Sequence, residues 1–124
     1  MRVLVCGDRN YADKDYLFRV LFRLNEANPD DEIDTIIEGE AKGADTLGRE
    51  WGEQFGCTVL KFPADWDKYG KGAGHIRNKQ MLDEGKPDVI MAFHNDLSKS
   101  KGTLNMICQA NKAGIPVYLY GGHY

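Results

Sequence analysis

Val3-Leu4-Val5-Cys6-Gly7-Asp8-Arg9 is a run of four apolar residues that a glycine stops and a charged pair follows. The run does not alternate between apolar and polar positions, so it predicts a strand buried on both faces. Similar segments recur. Thr35-Ile36-Ile37 is stopped by Glu38-Gly39, Cys57-Thr58-Val59-Leu60-Lys61-Phe62 gives a third strand, Val89-Ile90-Met91-Ala92-Phe93 a fourth and Pro116-Val117-Tyr118-Leu119 a fifth. Between them the apolar spacing becomes helical. Leu17, Val20, Leu21 and Leu24 form the stripe of a helix that runs from an N-cap at Asp13 to about Ala27, where Asn28-Pro29-Asp30-Asp31 ends it. Leu47, Trp51 and Phe55 share one face of a second helix, with Gly56 just past its end. A third helix reads from about Ala73 to Glu84, closed by Gly85-Lys86-Pro87. A fourth opens at Gly102-Thr103, carries Leu104, Ile107, Cys108 and Asn111 on its inner stripe, and stops at Gly114. Residues 121–124 read as a loose tail.

Strict alternation of buried strands and helices predicts an α/β fold, one domain over residues 1–124, with a five-stranded parallel sheet between two helical layers. Right-handed crossovers leave two common strand orders, 3-2-1-4-5 and 2-1-3-4-5. The first is preferred. The loops richest in Gly, Arg, Lys and Asp all follow strands, and that order opens a crevice between strands one and four, where such loops gather. Gly7-Asp8-Arg9 then faces the segment from Lys99 to Thr103.

Bulk properties narrow the function classes. The chain has 124 residues, is 42% hydrophobic and carries a formal net charge of −3. It is long enough to bury a core, and its acidity disfavours a general nucleic-acid coat while leaving room for a local basic pocket. No apolar run is long enough for a membrane span, and the N-terminal run is too short for a signal peptide. Cys6, Cys57 and Cys108 are odd in number and far apart, which suits reduced thiols in the cytoplasm. His75, His94 and His123 lack ligand spacing with cysteines or carboxylates, so no metal is expected. Neither a G-x-G-x-x-G fingerprint nor a P-loop is present, and no cofactor is expected. Cys6, at the end of strand one with no histidine nearby in sequence, reads as a small buried residue rather than a nucleophile.

Three glycine-bearing segments carry the candidate binding chemistry. Gly7 makes a tight turn, and Arg9 beside it serves either a ligand or a surface ion pair. Gly39-Glu40-Ala41-Lys42-Gly43-Ala44-Asp45 runs onto a helix N-terminus, where backbone amides suit a phosphate. Asp45 there either accepts from ribose hydroxyls or caps the helix. In Ser98-Lys99-Ser100-Lys101-Gly102-Thr103, Gly102 and Thr103 sit where anion-binding amides belong. The longest irregular segment, Phe62 to Asn78, does not read as a helix in its first half. It holds Asp65, Trp66, Tyr69, Lys71 and Gly74 ahead of Arg77 on the first turn of helix three. Trp66 and Tyr69 offer flat faces to a base or sugar, and Arg77 either forks a phosphate or pairs with Asp65 or Asp67 to pin the loop.

At these residues the chain resembles a known family. Gly7-x-Arg9 with Tyr11 and Asp13, Glu38-Gly39-x-Ala41-x-Gly43-Ala44-Asp45 with Trp51, and Phe62-Pro63-Ala64-Asp65-Trp66 are similar to the YspA-type branch of the SLOG superfamily, also called DUF2493. Gly70-Lys71-x-Ala73-Gly74-x-Ile76-Arg77-Asn78-x-x-Met81 and Lys101-Gly102-Thr103 are similar as well. The resemblance implies a Rossmann-like fold, a nucleotide or nucleotide-derived ligand, and membership of a group common in phages and mobile elements. It adds Asp65, Trp66, Lys71, Gly74 and Asn78 to the candidate ligand residues. Related phosphoribohydrolases use an arginine and the glutamate of P-G-G-x-G-T-x-x-E. Arg77 resembles that arginine, only Gly102-Thr103 of the second motif remains, and Met106 stands in place of the glutamate. A thioether cannot transfer the proton, so the resemblance implies a ligand cradle without that catalytic pair.

The leading expectation is a protein that senses or sequesters a nucleotide-derived small molecule. The alternative is an N-glycosidic hydrolase of a nucleoside monophosphate or similar ribotide, in which Asp45, Asp65 or Glu40 supplies the missing carboxylate. A third reading is single-stranded DNA bound along the lysines with a base on Trp66, which the acidic total disfavours. A homo-oligomer is compatible with this fold family, although no interface signature is present in the sequence.

Overall fold

The computed structural model describes residues 1–121. Strands β1 (Arg2–Gly7), β2 (Thr35–Glu38), β3 (Thr58–Lys61), β4 (Val89–Phe93) and β5 (Val117–Tyr120) form one sheet in the order β3-β2-β1-β4-β5. All neighbouring strands are parallel, with Val3 opposite both Ile36 and Val89. This is the α/β architecture and the strand order expected from the sequence. Leu4, Ile36, Ile37, Ile90 and Phe93 are fully buried, as strands covered on both faces require.

Helices α1 (Lys14–Ala27) and α2 (Ala44–Gln54) cover one face. Leu17, Val20, Leu21, Ala44 and Trp51 pack there against Val3, Val5, Ile36 and Met91. The opposite face receives Met81 and Leu82 together with Met106 and Ala110, which pack on Leu4, Cys6, Ile37, Ile90 and Ala92. Complete burial of a leucine such as Leu17 contributes about 1.5–3 kcal/mol. The Asp13 side chain caps α1 as expected, accepting from the Tyr16 amide at 3.1 Å. Trp51 is buried, whereas Phe55, expected on the same inner face, is 44% exposed and meets Phe22 edge-on at 4.7 Å.

The segment before Arg77 differs from its sequence reading. Asp65 accepts from the Lys68 amide at 3.0 Å and caps a one-turn helix, α3 (Trp66–Tyr69). A tight turn at Gly70–Gly72 then leads into α4 (Ala73–Gln80). The capping carboxylate organises this turn, a local effect that apolar periodicity does not report. From Met81 to Gly85 the chain continues in wider π-type turns and ends at Lys86 in the left-handed region (φ 51°). The last helix, α5 (Lys101–Ala113), begins one residue earlier than expected, because the Ser100 hydroxyl accepts from the Thr103 amide at 3.1 Å. The last strand reaches Tyr120, whose carbonyl accepts from the His94 amide at 2.9 Å. Beyond Gly121 the expected tail lies outside the described residues. Among the described residues no helix is long and apolar enough to cross a membrane.

One charged group ends inside this core. Glu38, the last residue of β2, is completely buried. Its Oε2 accepts from the Glu40 amide at 2.6 Å, and its enclosed Oε1 has no partner. Burial raises its pKa from 4.5 to about 7; the Glu40 amide opposes the shift, and nearby Asp45 adds to it. The folded state therefore holds a proton on Glu38 at pH values where the unfolded chain has released it. Stability from this group is full below about pH 4.5 and is lost as pH rises through about 7. The limiting slope is about 1.4 kcal/mol per pH unit for one proton. In urea titrations, Glu38→Gln is expected to match wild type near pH 5 and to exceed it in stability near pH 8. An offset between the two proteins that is the same at both pH values would contradict this account.

Candidate functional site

Because β1 and β4 are neighbours whose connections leave on opposite sides, a crevice opens at their carboxyl ends. Its volume is about 790 Å³. Of the residues singled out in the sequence, Gly7, Arg9, Asp45, Trp66, Lys71, Gly74, Arg77, Asn78, Gly102 and Thr103 line it. Gly7-Asp8-Arg9 and the Lys99–Thr103 segment contribute to the same crevice, as the strand order predicts. Gly39, Gly43, Ala44 and Asp65 do not line it. Asp65 is instead the cap of α3.

Gly7 is required by a close approach of backbones. It has φ of 151°, a Cβ there would run into the Phe93 carbonyl, and the next amide, Asp8, donates to that carbonyl at 2.9 Å. The two strands are thus joined where the crevice begins.

The Gly39–Asp45 loop uses its amides within the fold. Gly39 N–H donates to Asp45 Oδ2 at 2.9 Å, and Ala41 N–H to the same oxygen at 3.4 Å. Ala44 N–H donates to the Asp8 carbonyl at 3.2 Å, and a Cβ on Gly43 would meet the Asp8 and Arg9 backbone. Asp45 makes no side-chain cap for α2, whose N-cap is Gly43. Its carboxylate holds the preceding loop, is almost fully buried, and still borders the crevice. Burial pushes its pKa up to about 6, against the Arg77 charge and the Gly39 and Ala41 amides, which favour the ionised form.

Arg77 projects from α4 into the same region. Its Nη1 donates to the Gly39 carbonyl and, at 3.4 Å, to the Phe62 carbonyl; its Nε donates to Asn78 Oδ1 at 3.3 Å. A Cβ on Gly39 would collide with this guanidinium. Among the described residues, Arg77 forms no ion pair with Asp65 or Asp67. The loop is pinned through main-chain carbonyls instead. Asn78, buried behind it, donates to the Gly102 carbonyl at 3.1 Å and to Asn105 Oδ1 at 3.2 Å, which fixes α4 to the start of α5.

The rim is cationic and partly aromatic. Lys71, Lys99 and Lys101 are exposed around the mouth, and Trp66, 58% exposed, lies across from Gly74. The first amides of α5, at Lys101 and Gly102, have no acceptor within the helix, and the helix dipole adds positive potential at that end. Cys6, Met81 and Met106 supply an apolar part of the floor. Burial raises the Cys6 pKa well above the usual thiol range, so this thiol stays protonated. Met106 occupies the floor with no group able to exchange a proton.

Sequence reasoning missed several lining residues, chiefly His94. Sequence patterning tests it only as a metal ligand, yet it directly follows the β4 run, at the carboxyl edge next to the crevice. That position was the available signal. Among the described residues no group of three or more His, Cys, Asp or Glu side chains is placed to hold a metal ion.

Comparison with known proteins agrees with this geometry. The chain is similar to the Gene 61 protein of Mycobacterium phage D29, with 35% identity over 125 residues, covering 97% of this chain and 96% of that protein. Its fold is similar to that of DNA processing protein A (DprA) from Streptococcus pneumoniae, with a TM-score of 0.71 and 18% identity. That match covers 98% of this chain, which spans half the length of the DprA chain. The family described as YspA, cpYpsA-related SLOG matches residues 1–69, which hold β1, β2 and the loops that follow them. The chain therefore belongs to the YspA, cpYpsA-related SLOG family.

Proposed function

We propose that this protein binds a small nucleotide-derived anion in the crevice between β1 and β4, so as to sense or sequester it. The observation that carries this reading is the convergence of Arg9, Lys71, Arg77, Lys99 and Lys101 on one crevice of about 790 Å³ that Trp66 borders. Such a volume suits a nucleotide-sized molecule. The cationic rim and the start of α5 suit its phosphates, and Trp66 suits a base or sugar face. Native mass spectrometry of protein purified from cells, followed by denaturation, is expected to release a phosphate-bearing molecule of nucleotide mass. Release of none, together with no calorimetric binding of AMP or ADP-ribose, would count against the proposal. Tight, steeply salt-dependent binding of a single-stranded oligonucleotide would favour a nucleic-acid partner instead.

One observation favours a hydrolytic variant of the same reading. Of the three candidate carboxylates, Asp45, Asp65 and Glu40, only Asp45 borders the crevice. With Met106 on the floor, the expected outcome is still binding without turnover, so incubation with AMP should release no adenine. Adenine release that Arg77→Ala abolishes would move the proposal to an N-glycosidase with Asp45 as its carboxylate.

Arg77 offers a sharper test. Its Nη1 and Nε are bonded within the fold, and its Nη2 has no protein partner among the described residues. Lysine keeps a positive charge but loses the fork and both carbonyl contacts. Arg77→Lys should therefore weaken AMP or ADP-ribose binding by about 1–3 kcal/mol and also lower the melting temperature. A lower melting temperature with unchanged affinity would leave Arg77 a structural clamp only.

A further inference from the structure

His94 is tied at its backbone and at one ring nitrogen. It directly follows β4, its amide donates to the Tyr120 carbonyl at 2.9 Å, and Gly121 packs so closely on its carbonyl that a Cβ there would collide with it. The residue is only 7% exposed and lines the crevice. Its Nδ1 accepts from the Asp96 amide at 3.0 Å. A ring nitrogen that accepts carries no proton, so in the neutral imidazole the proton lies on Nε2. Among the described residues no protein group accepts from that Nε2–H. A donor without a protein acceptor, on a crevice-lining ring whose backbone and Nδ1 are both tied, is a preorganised contact for an atom that enters the crevice.

We propose that His94 is a ligand-binding residue, and that its Nε2–H selects a molecule bearing a hydrogen-bond acceptor at the buried end of the crevice. A carbonyl, a ring nitrogen or a phosphoryl oxygen meets this requirement; an amino group or a hydrocarbon does not. Asp45, on the same crevice, asks for the opposite, a hydroxyl or N–H donor. The fitting ligand therefore presents an acceptor and a donor inward and its anionic group toward the lysines at the rim. The Asp96 contact fixes the tautomer, so the same interaction that shapes the loop after β4 also decides which atom the crevice accepts. This inference rests on the proposed function.

Two near-isosteres separate ligand contact from loop support. Asparagine can keep an acceptor where Nδ1 stands but does not reach the Nε2 position. Glutamine reaches that position with an N–H. In calorimetric titrations of the full chain with AMP and ADP-ribose, His94→Asn is expected to bind at least tenfold more weakly with its melting temperature preserved. His94→Gln is expected to retain most of the affinity. In wild type, the His94 Nε2 resonance in ring ¹⁵N spectra is expected to shift on saturation with the better of the two nucleotides. An Asn variant that binds as tightly as wild type overturns the inference while leaving the nucleotide reading intact. If the Asn variant does not fold, an unmoved Nε2 resonance in saturated wild type overturns it equally. Wild type that binds neither nucleotide overturns the proposed function, and this inference with it.

Discussion

The site depends on how one residue, Gly39, is gripped. Its N–H donates to the buried carboxylate of Asp45, and its carbonyl accepts from the guanidinium of Arg77. The carboxylate stands at the start of α2 on one side of the sheet, and the guanidinium comes from α4 on the other. Two opposite charges are thereby held on either side of a single residue at the end of β2. Each is partly offset by the other and by main-chain dipoles, which is how buried charges are normally tolerated. A side chain at this position would have to displace the guanidinium, because a Cβ would occupy its place. The two helix walls beside β2 are placed relative to this contact. Asn78, the next residue along α4, carries the position of Arg77 to the start of α5, and Asp45 carries it to the β2 loop.

Much of the fold was legible because it rests on interactions with a period. Buried parallel strands read as continuous apolar runs, and the stripe Leu17, Val20, Leu21 follows the helical repeat. The placement of glycine- and lysine-bearing loops after strands was enough to choose the order with β1 beside β4. The one-turn helix at Trp66–Tyr69 was not legible, since a single turn has no period and depends on Asp65 as its cap. The early start of α5, at Lys101 behind the Ser100 cap, has the same origin.

Of the residues singled out in the sequence, ten line the crevice, while Gly39, Gly43, Ala44 and Asp65 make contacts within the fold instead. Gly39, Gly43 and Ala44 look like a phosphate loop because small residues permit close approach. The close approach exists, but it is made by Arg77 and by the backbone of Asp8 and Arg9. A glycine pattern reports that something comes near, and only the structure says what. His94 was overlooked for a related reason. Histidine in a sequence prompts a search for metal-ligand spacing, whereas this ring lines the crevice at a strand end with its Nδ1 bonded to the Asp96 amide.

The use of amides inside the fold narrows where an anion can sit. The β2 loop, with Gly39, Ala41 and Ala44 already donating to Asp45 and Asp8, has few backbone donors to offer. It also presents a carboxylate, which repels a phosphate whenever it is ionised. The opposite wall has the reverse character: α5 starts there with open amides, and Lys99 and Lys101 flank it. On the proposed reading, an anionic group would therefore meet the β4–α5 side, with the polar, uncharged part of the same molecule toward Asp45. The raised pKa of Asp45, about 6, softens that repulsion in mildly acidic solution. The polarity of the crevice thus follows from which strand ends hold their own backbone groups and which leave them free.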